Sequence, residues 1–149
     1  MIYTRTAGDV SEAKKIIKEK VQKNIALTDA EIETLERGTI TVNTLNRIET
    51  KQQELVHTLN SMGYYGRKVI NKAWSYQGIF DESEFVRITS NNSNIRAMFY
   101  PLENTPANAI PKYNYQELNR LEKILQDLYE NALYAQNIYP ICGTFECGG

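Results

Sequence analysis

The sequence is poor in the side chains that bind metals. It contains one histidine, His57, and two cysteines, Cys142 and Cys147, in 149 residues. A structural zinc site uses four Cys or His ligands, and His57 is far from both cysteines in sequence, so no zinc motif is present. We expect the cysteines to be free thiols in a reducing compartment. The alternatives are a disulfide between them, or a metal shared across an oligomer axis with Cys142 and Cys147 as candidate ligands.

Long apolar runs and an excess of one charge are also missing. Lys plus Arg total 17 and Asp plus Glu total 18, which gives a formal net charge of -1. Nucleic-acid binding through phosphate neutralisation needs a basic surface, and a membrane span needs about 20 apolar residues. The opening "MIYTRTAGDVSEAKK" has no apolar signal-peptide core. We therefore expect no nucleic-acid partner, no membrane and synthesis in the cytoplasm.

The length predicts one domain, because 149 residues suffice for one core of ordinary size and are few for two. We predict a mainly α-helical single domain over residues 1–149. It divides into a helical N-terminal lobe (1–40), a helical core (41–135) and an extended tail (136–149). Within the core, residues 101–113 contain three prolines and are predicted to form an extended linker.

Two short helices are predicted in the N-terminal lobe. In the first, Thr6 and Asp9 can cap a helix whose apolar residues recur every three or four positions. In the second, "LTDAEIETLERG", Thr28 and Glu31 are spaced as a capping box and Gly38 is placed to stop the helix.

The pentapeptide "LNRIE" (45–49) returns as "LNRLE" (118–122). Each copy opens a predicted long helix with one narrow apolar seam at heptad-like spacing. The first helix is predicted over Thr44 to Met62, and the second is predicted to begin with a capping box of Asn114 and Glu117. The seam residues are Leu45, Ile48, Leu55, Leu59, Leu118, Leu121, Leu125 and Leu128. A further helix is predicted over residues 83–99, although "TSNNSN" has poor helix propensity.

The repeated polar residues allow two interpretations. In the structural one, Asn46 and Asn119 bond a neighbouring loop backbone, while Arg and Glu on flanking positions pair along the helix, such as Arg47 with Glu54. We favour this interpretation because the sequence offers no convincing nucleophile or metal set.

The catalytic interpretation is a small enzyme that uses Glu49 or Glu122 with His57. It needs a third polar partner, such as Asp127 or Tyr129, within reach. No glycine-containing stretch matches a phosphate loop or a dinucleotide fingerprint, so no cofactor is expected. Our prediction is a protein that is not an enzyme.

Aromatic residues are plentiful, with ten tyrosines in the chain. Tyrosine is enriched at protein interfaces, where its ring anchors a partner and its hydroxyl stays hydrated. We predict oligomer or partner contacts at Tyr64, Tyr65, Tyr134, Tyr139 and Phe145.

The order of motifs resembles a known kind of protein. The chain reads "YTRTAGDV", "LTDAEIETLERG", "TVNTLNRIETKQQEL", "NKAW", "YNYQELNRLEKIL" and "CGTFECGG" in turn. This order resembles small tail or baseplate-region proteins of phages and prophages of Gram-positive bacteria, and the N-terminal modules of tail-fibre-like proteins. The resemblance implies a component of a virion or phage-tail-like particle, assembled in the bacterial host cytoplasm, with no catalytic residues.

These observations predict a structural protein of a phage tail or related particle, at the baseplate or the fibre attachment. We expect it to form a homo-oligomer, a trimer or hexamer, through its helix seams and its tail, and to bind other tail or baseplate proteins. The alternative is a cytoplasmic adaptor or regulator that binds a helical partner through the same seam.

Overall fold

The computed structural model describes residues 1–138 of the chain. These residues form five α-helices and one 3₁₀ turn, Val21–Lys23, with no β-strand among them, so the mainly α prediction is confirmed. The helices are α1 (Ala7–Glu19), α2 (Asp29–Gly38), α3 (Val42–Ser61), α4 (Glu82–Met98) and α5 (Tyr115–Ile138). Helix α5 continues three residues past the predicted start of the tail at residue 136. The remainder of the predicted tail lies outside the described residues.

Both helix starts predicted in the N-terminal lobe are confirmed. The Thr6 hydroxyl accepts the Asp9 N–H, and the Asp9 carboxylate accepts the Thr6 N–H. Thr28 and Glu31 form the same reciprocal pair at the start of α2. Each box satisfies backbone donors that the first turn of a helix leaves without partners.

Helix α3 ends where the sequence places a glycine. Gly63 has a φ of +88°, a left-handed conformation that favours glycine. The Gly63 N–H donates to the Asn60 carbonyl at 3.0 Å, and the Tyr64 N–H donates to the Leu59 carbonyl at 2.8 Å. This pair of bonds is the Schellman arrangement, which satisfies the last carbonyls of the helix.

The start of α5 differs from the predicted capping box. Asn114 accepts the Glu117 N–H at 2.8 Å, as predicted. The Glu117 carboxylate, however, accepts the Ile110 N–H at 2.9 Å. Glu117 thereby fastens the proline-bearing linker to the helix, which a capping box would not do.

Helices α3, α4 and α5 pack on one another and enclose the main core. All eight seam residues are at most 4 % exposed and belong to this core. The seams of α3 and α5 therefore face the inside of the same chain. In this conformation none of the eight seam side chains is uncovered for contact with another copy or a helical partner.

Helix α4 forms despite its asparagines because several of them are buried and bonded. Asn91 is 4 % exposed, accepts the Ile70 N–H at 3.1 Å and donates to the Ile70 carbonyl at 2.7 Å. Thr89 donates its hydroxyl to the Phe85 carbonyl at 2.9 Å, one turn back. Tertiary hydrogen bonds thus outweigh the low helix propensity of this segment.

Helices α1 and α2 pack closely against each other at Gly38. A Cβ on Gly38 would overlap the Asp9 carbonyl oxygen and the Ala13 Cβ. Gly38 was predicted as a helix stop, but its φ is not positive and the capping residue is Thr39. Its role in the structure is to allow the close approach of the two helices.

This contact predicts opposite effects for two glycine substitutions. Gly38→Ala should destabilise the protein by about 1–3 kcal/mol, because an added methyl overpacks the α1–α2 contact. Gly8→Ala, where an added Cβ would meet only the Thr6 hydroxyl at 3.4 Å, should stabilise by about 0.5–1 kcal/mol through helix propensity. Urea unfolding followed by circular dichroism measures both. Equal effects of the two substitutions would contradict the packing role of Gly38.

Candidate functional site

The two copies of the repeated pentapeptide occupy equivalent positions in the fold. Each lies near the start of a core helix, α3 or α5, and each places an Asn and a Glu three residues apart on one helix face. In each copy these two side chains hold an extended segment of the chain against the helix. We call this arrangement the Asn-x-x-Glu clasp.

In the first clasp, Asn46 holds the backbone of Trp74. The Trp74 N–H donates to Asn46 Oδ1 at 2.8 Å, and Asn46 Nδ2 donates to the Trp74 carbonyl at 3.1 Å. One side-chain amide thus satisfies both backbone groups of a residue outside any helix or strand.

The second clasp repeats this geometry on a different segment. The Arg5 N–H donates to Asn119 Oδ1 at 3.0 Å, and Asn119 Nδ2 donates to the Arg5 carbonyl at 2.8 Å. Asn119 therefore attaches the segment before α1 to helix α5, in the same way that Asn46 attaches the residues near Trp74 to helix α3.

The glutamate of the first clasp is buried and surrounded by donors. Glu49, 2 % exposed, accepts the Trp74 indole N–H at 2.8 Å and the Lys72 backbone N–H at 2.6 Å. Arg87 of α4 donates to both carboxylate oxygens, at 2.5 and 3.0 Å. A buried carboxylate is tolerated only when its lone pairs are bonded in this way.

The glutamate of the second clasp has the same function. Glu122 is fully buried and accepts the backbone N–H of Ile2. It also accepts the guanidinium groups of Arg5 at 3.0 Å and of Arg47 at 2.9 Å. In both clasps the glutamate therefore binds the side chain of the residue whose backbone the asparagine holds.

Arg47 connects the two copies, because it belongs to the first pentapeptide and pairs with the glutamate of the second. The predicted pairing of Arg47 with Glu54 is wrong, since Glu54 pairs with Lys51. The flanking positions predicted for Glu49 and Glu122 are also wrong, as both side chains are buried. These carboxylates point into the protein because backbone and cationic donors from distant segments meet them there.

The electrostatics of the two clasps differ. Burial acts to raise the pKa of Glu49, but hydrogen bonds from Arg87, Trp74 and Lys72 outweigh it and hold this pKa below its ordinary value of 4.5. Burial lowers the pKa of Arg5, and the positive charges of Arg47 and Arg37 act in the same direction. The Glu122 carboxylate acts in the opposite direction on the pKa of Arg5, but burial outweighs it.

The residues of the catalytic alternative do not come together among residues 1–138. His57 is exposed on α3 and makes no hydrogen bond with Glu49 or Glu122. Asp127 instead pairs with Lys123. Tyr129 lies under the Lys51 ammonium, which is 3.9 Å from the ring centroid. The geometry of the clasps accordingly supports fastening of segments and gives no arrangement for proton transfer.

The predicted contact residues fall into three groups. Tyr64 packs inward, edge to face on Phe99 with ring centroids 4.8 Å apart. Tyr65 and Tyr134 are 75 % and 65 % exposed. The other predicted residues, Tyr139 and Phe145, and the cysteines Cys142 and Cys147 lie outside the described residues.

Two connections between helices carry many exposed apolar side chains. We call residues 64–81 and 100–113 together the connection surface. Where both connections end, beside the start of α4, a cleft of about 540 Å³ is lined by Phe80, Phe85 and Tyr113, whose ring centroids lie 6.0 to 6.3 Å apart. The exposed large apolar residues of this surface are Tyr65, Ile70, Tyr76, Ile79, Tyr100, Leu102, Ile110 and Tyr113.

None of the helices within residues 1–138 is long and apolar enough to cross a membrane. In the same part of the chain, no group of three His, Cys, Asp or Glu side chains is placed to hold a metal ion. Comparison with protein-family models, with curated proteins and with solved structures finds no match to this chain.

The first clasp predicts the effect of removing its amide. Asn46→Ala should destabilise the protein by about 2–4 kcal/mol, because it leaves the buried N–H and carbonyl of Trp74 without partners. Asn43→Ala, on the exposed side of the same helix with one bond to Glu36, should change stability by less than about 0.5 kcal/mol. Chemical unfolding of both variants measures this difference. A loss of similar size in the two variants would show that Asn46 does not act through Trp74.

The lowered pKa of Glu49 predicts a dependence of stability on pH. A carboxylate whose pKa is lower in the folded protein stabilises it above the unfolded pKa, and this contribution is lost as the pH falls through the folded pKa. Wild type should therefore exceed Glu49→Gln in unfolding free energy at pH 6, by about 3 kcal/mol. The difference should shrink below pH 4.5. Unfolding of both proteins from pH 6 to pH 3 tests this, and a constant difference over that range would contradict it.

Proposed function

We propose that the protein is a structural component of a phage tail or a phage-tail-like particle, at the baseplate or the fibre attachment. It acts there as a homo-oligomer, a trimer or hexamer, and contacts other tail or baseplate proteins. It is assembled in the bacterial host cytoplasm and resides in the particle. The proposal has two supports: the resemblance of the motif order, and the distribution of exposed apolar residues.

The connection surface is the single observation that carries an assembly role. Segments between helices are normally polar, because they run over the surface in contact with water. Here the connections expose Tyr76 at 89 % and Ile79 at 80 %. Exposed apolar clusters of this kind mark protein–protein contact sites in soluble proteins.

The way the connections are held fits a docking surface. Ile70 is exposed, yet both of its backbone groups are bonded to the buried Asn91 side chain. Trp74 and Lys72 are held by the first clasp in the same segment. A surface fixed before binding loses less conformational entropy when a partner docks, and this favours affinity.

The oligomeric state of the purified protein tests the proposal. Light scattering should give the mass of a trimer or hexamer, and the combined substitutions Tyr65→Ser, Tyr76→Ser and Ile79→Ser should reduce it toward a monomer with little change in thermal stability. The matched control replaces Ile25 and Ile32, exposed apolar residues of the N-terminal lobe, with Ser and should leave the mass unchanged.

A monomeric wild type at all concentrations would contradict the homo-oligomer. It would favour the cytoplasmic adaptor, which associates only with its partner. An equal loss of mass in the control would show that the connection surface is not the contact.

A further inference from the structure

A second cavity lies where the N-terminal lobe meets the start of α5, and it shares Tyr113 with the connection surface described above. Its volume is about 320 Å³. The walls come from α1, from the connection between α2 and α3, and from the start of α5. Arg5, which the second clasp holds, forms part of its lining.

The cavity is lined by cations without any lining carboxylate. Arg5, Lys14 and Arg37 contribute to its wall, and no Asp or Glu does. Arg37 is paired with Asp9 at 3.1 Å. Lys14 is exposed and has no ion pair within residues 1–138. The lining therefore carries positive charge that residues 1–138 do not neutralise.

Arg5 shows the same imbalance inside the protein. It is 3 % exposed, and its Nε has no hydrogen-bond partner. Among residues 1–138 its one carboxylate partner is Glu122, which is shared with Arg47. The buried guanidinium of Arg5 thus shares its carboxylate with the partly exposed Arg47, whereas buried cations are ordinarily paired more completely.

The first turn of α5 adds donors to this wall. Asn114 accepts the N–H groups of Glu117 and Leu118. The N–H groups of Tyr115 and Gln116 also belong to the first turn, which cannot bond them within the helix. The start of a helix also carries partial positive charge, so this end of the cavity favours an anion.

Part of the remaining wall is apolar. Val10, Ile40 and Leu118 line the cavity beside the cations. A ligand that fits must therefore carry both a negative charge and an apolar group. The volume is at the lower end of the range of about 300–1,000 Å³ for small-ligand pockets, so one residue or a small acid fills it.

We propose that this cavity binds a carboxylate carried on an apolar group. Two sources supply this chemistry: the C-terminal residue of a peptide chain, and a free small organic acid. The carboxylate lies near Lys14 and the start of α5, and the apolar group contacts Val10, Ile40 and Leu118. This site goes beyond the assembly role: apart from Tyr113 its lining lies outside the connection surface, and it needs no other copy of the chain.

The test is a titration of the ¹⁵N-labelled full chain followed by NMR. The probe is N-acetyl-leucine, and its neutral counterpart N-acetyl-leucinamide is the control ligand. The acid should shift the amide signals of Val10, Lys14, Ile40 and Gln116 in a saturable way, whereas the amide should not. Equal binding of acid and amide, or no saturable shift at these positions, would overturn the proposal.

A matched pair of variants tests the charge. Lys14→Met should weaken binding of N-acetyl-leucine by about threefold to tenfold, the range expected for one partly exposed charge. Lys15→Met, the exposed neighbour that does not line the cavity, should leave the affinity unchanged. Both variants keep the helix, because Met has high helix propensity. Equal weakening in the two would show general attraction to a basic surface and would overturn the site.

Two further probes distinguish the sources. Tighter binding of glycyl-glycyl-leucine than of N-acetyl-leucine would assign the site to a peptide C-terminus. Tighter binding of benzoate would assign it to a free acid. Either result supports the carboxylate site.

Discussion

The rest of the structure depends on two buried carboxylates, Glu49 and Glu122, whose bonds join extended segments to the helical core. An ionised group in the interior is stable only while its donors stay in place. Displacing Ile2 to Arg5 from α5, or Lys72 to Trp74 from α3, would leave one of these charges poorly bonded. The non-helical parts of the chain are therefore tied to the stability of the core through these bonds as well as through apolar side chains such as Trp74 and Phe99. The repeated pentapeptide supplies the Asn and the Glu that each of these attachments needs.

The sequence predicted what depends on near neighbours. Seam positions follow from helical periodicity, and the caps at Thr6 and Thr28 follow from residues three positions apart. The partners of the clasps could not be predicted, because Asn46 bonds a residue 28 positions away and Asn119 one 114 positions away. One signal was present. An apolar seam needs only apolar residues at regular spacing. The repeated pentapeptide also keeps its Asn and Glu, which indicated that these polar side chains have equivalent partners in the two helices.

Burial of both seams within one chain changes where a partner can dock. A helical protein often binds others through an apolar helix face, but the seams of α3 and α5 are used by each other and by α4. The apolar residues left at the surface are concentrated in the connections, whose backbone is held by Asn46, Glu49 and Asn91. The hydrogen bonds of these three interior side chains therefore hold the backbone of residues 70–74 in the connection surface, although the side chains themselves are not exposed there. In such a molecule a change in a buried asparagine can alter binding without touching the partner.

The second clasp also sets an order of events during synthesis. Arg5 and Glu122, which it joins, are 117 positions apart in the chain. At about 5–20 residues per second, the ribosome needs roughly 6 to 23 s to reach the glutamate after it has made the arginine. Helices α1 and α2 contact each other locally and can pair during that interval, because helices and short loops form within microseconds. The segment before α1 is thus fastened only after α5 has been made, whereas the contact between α1 and α2 can form earlier.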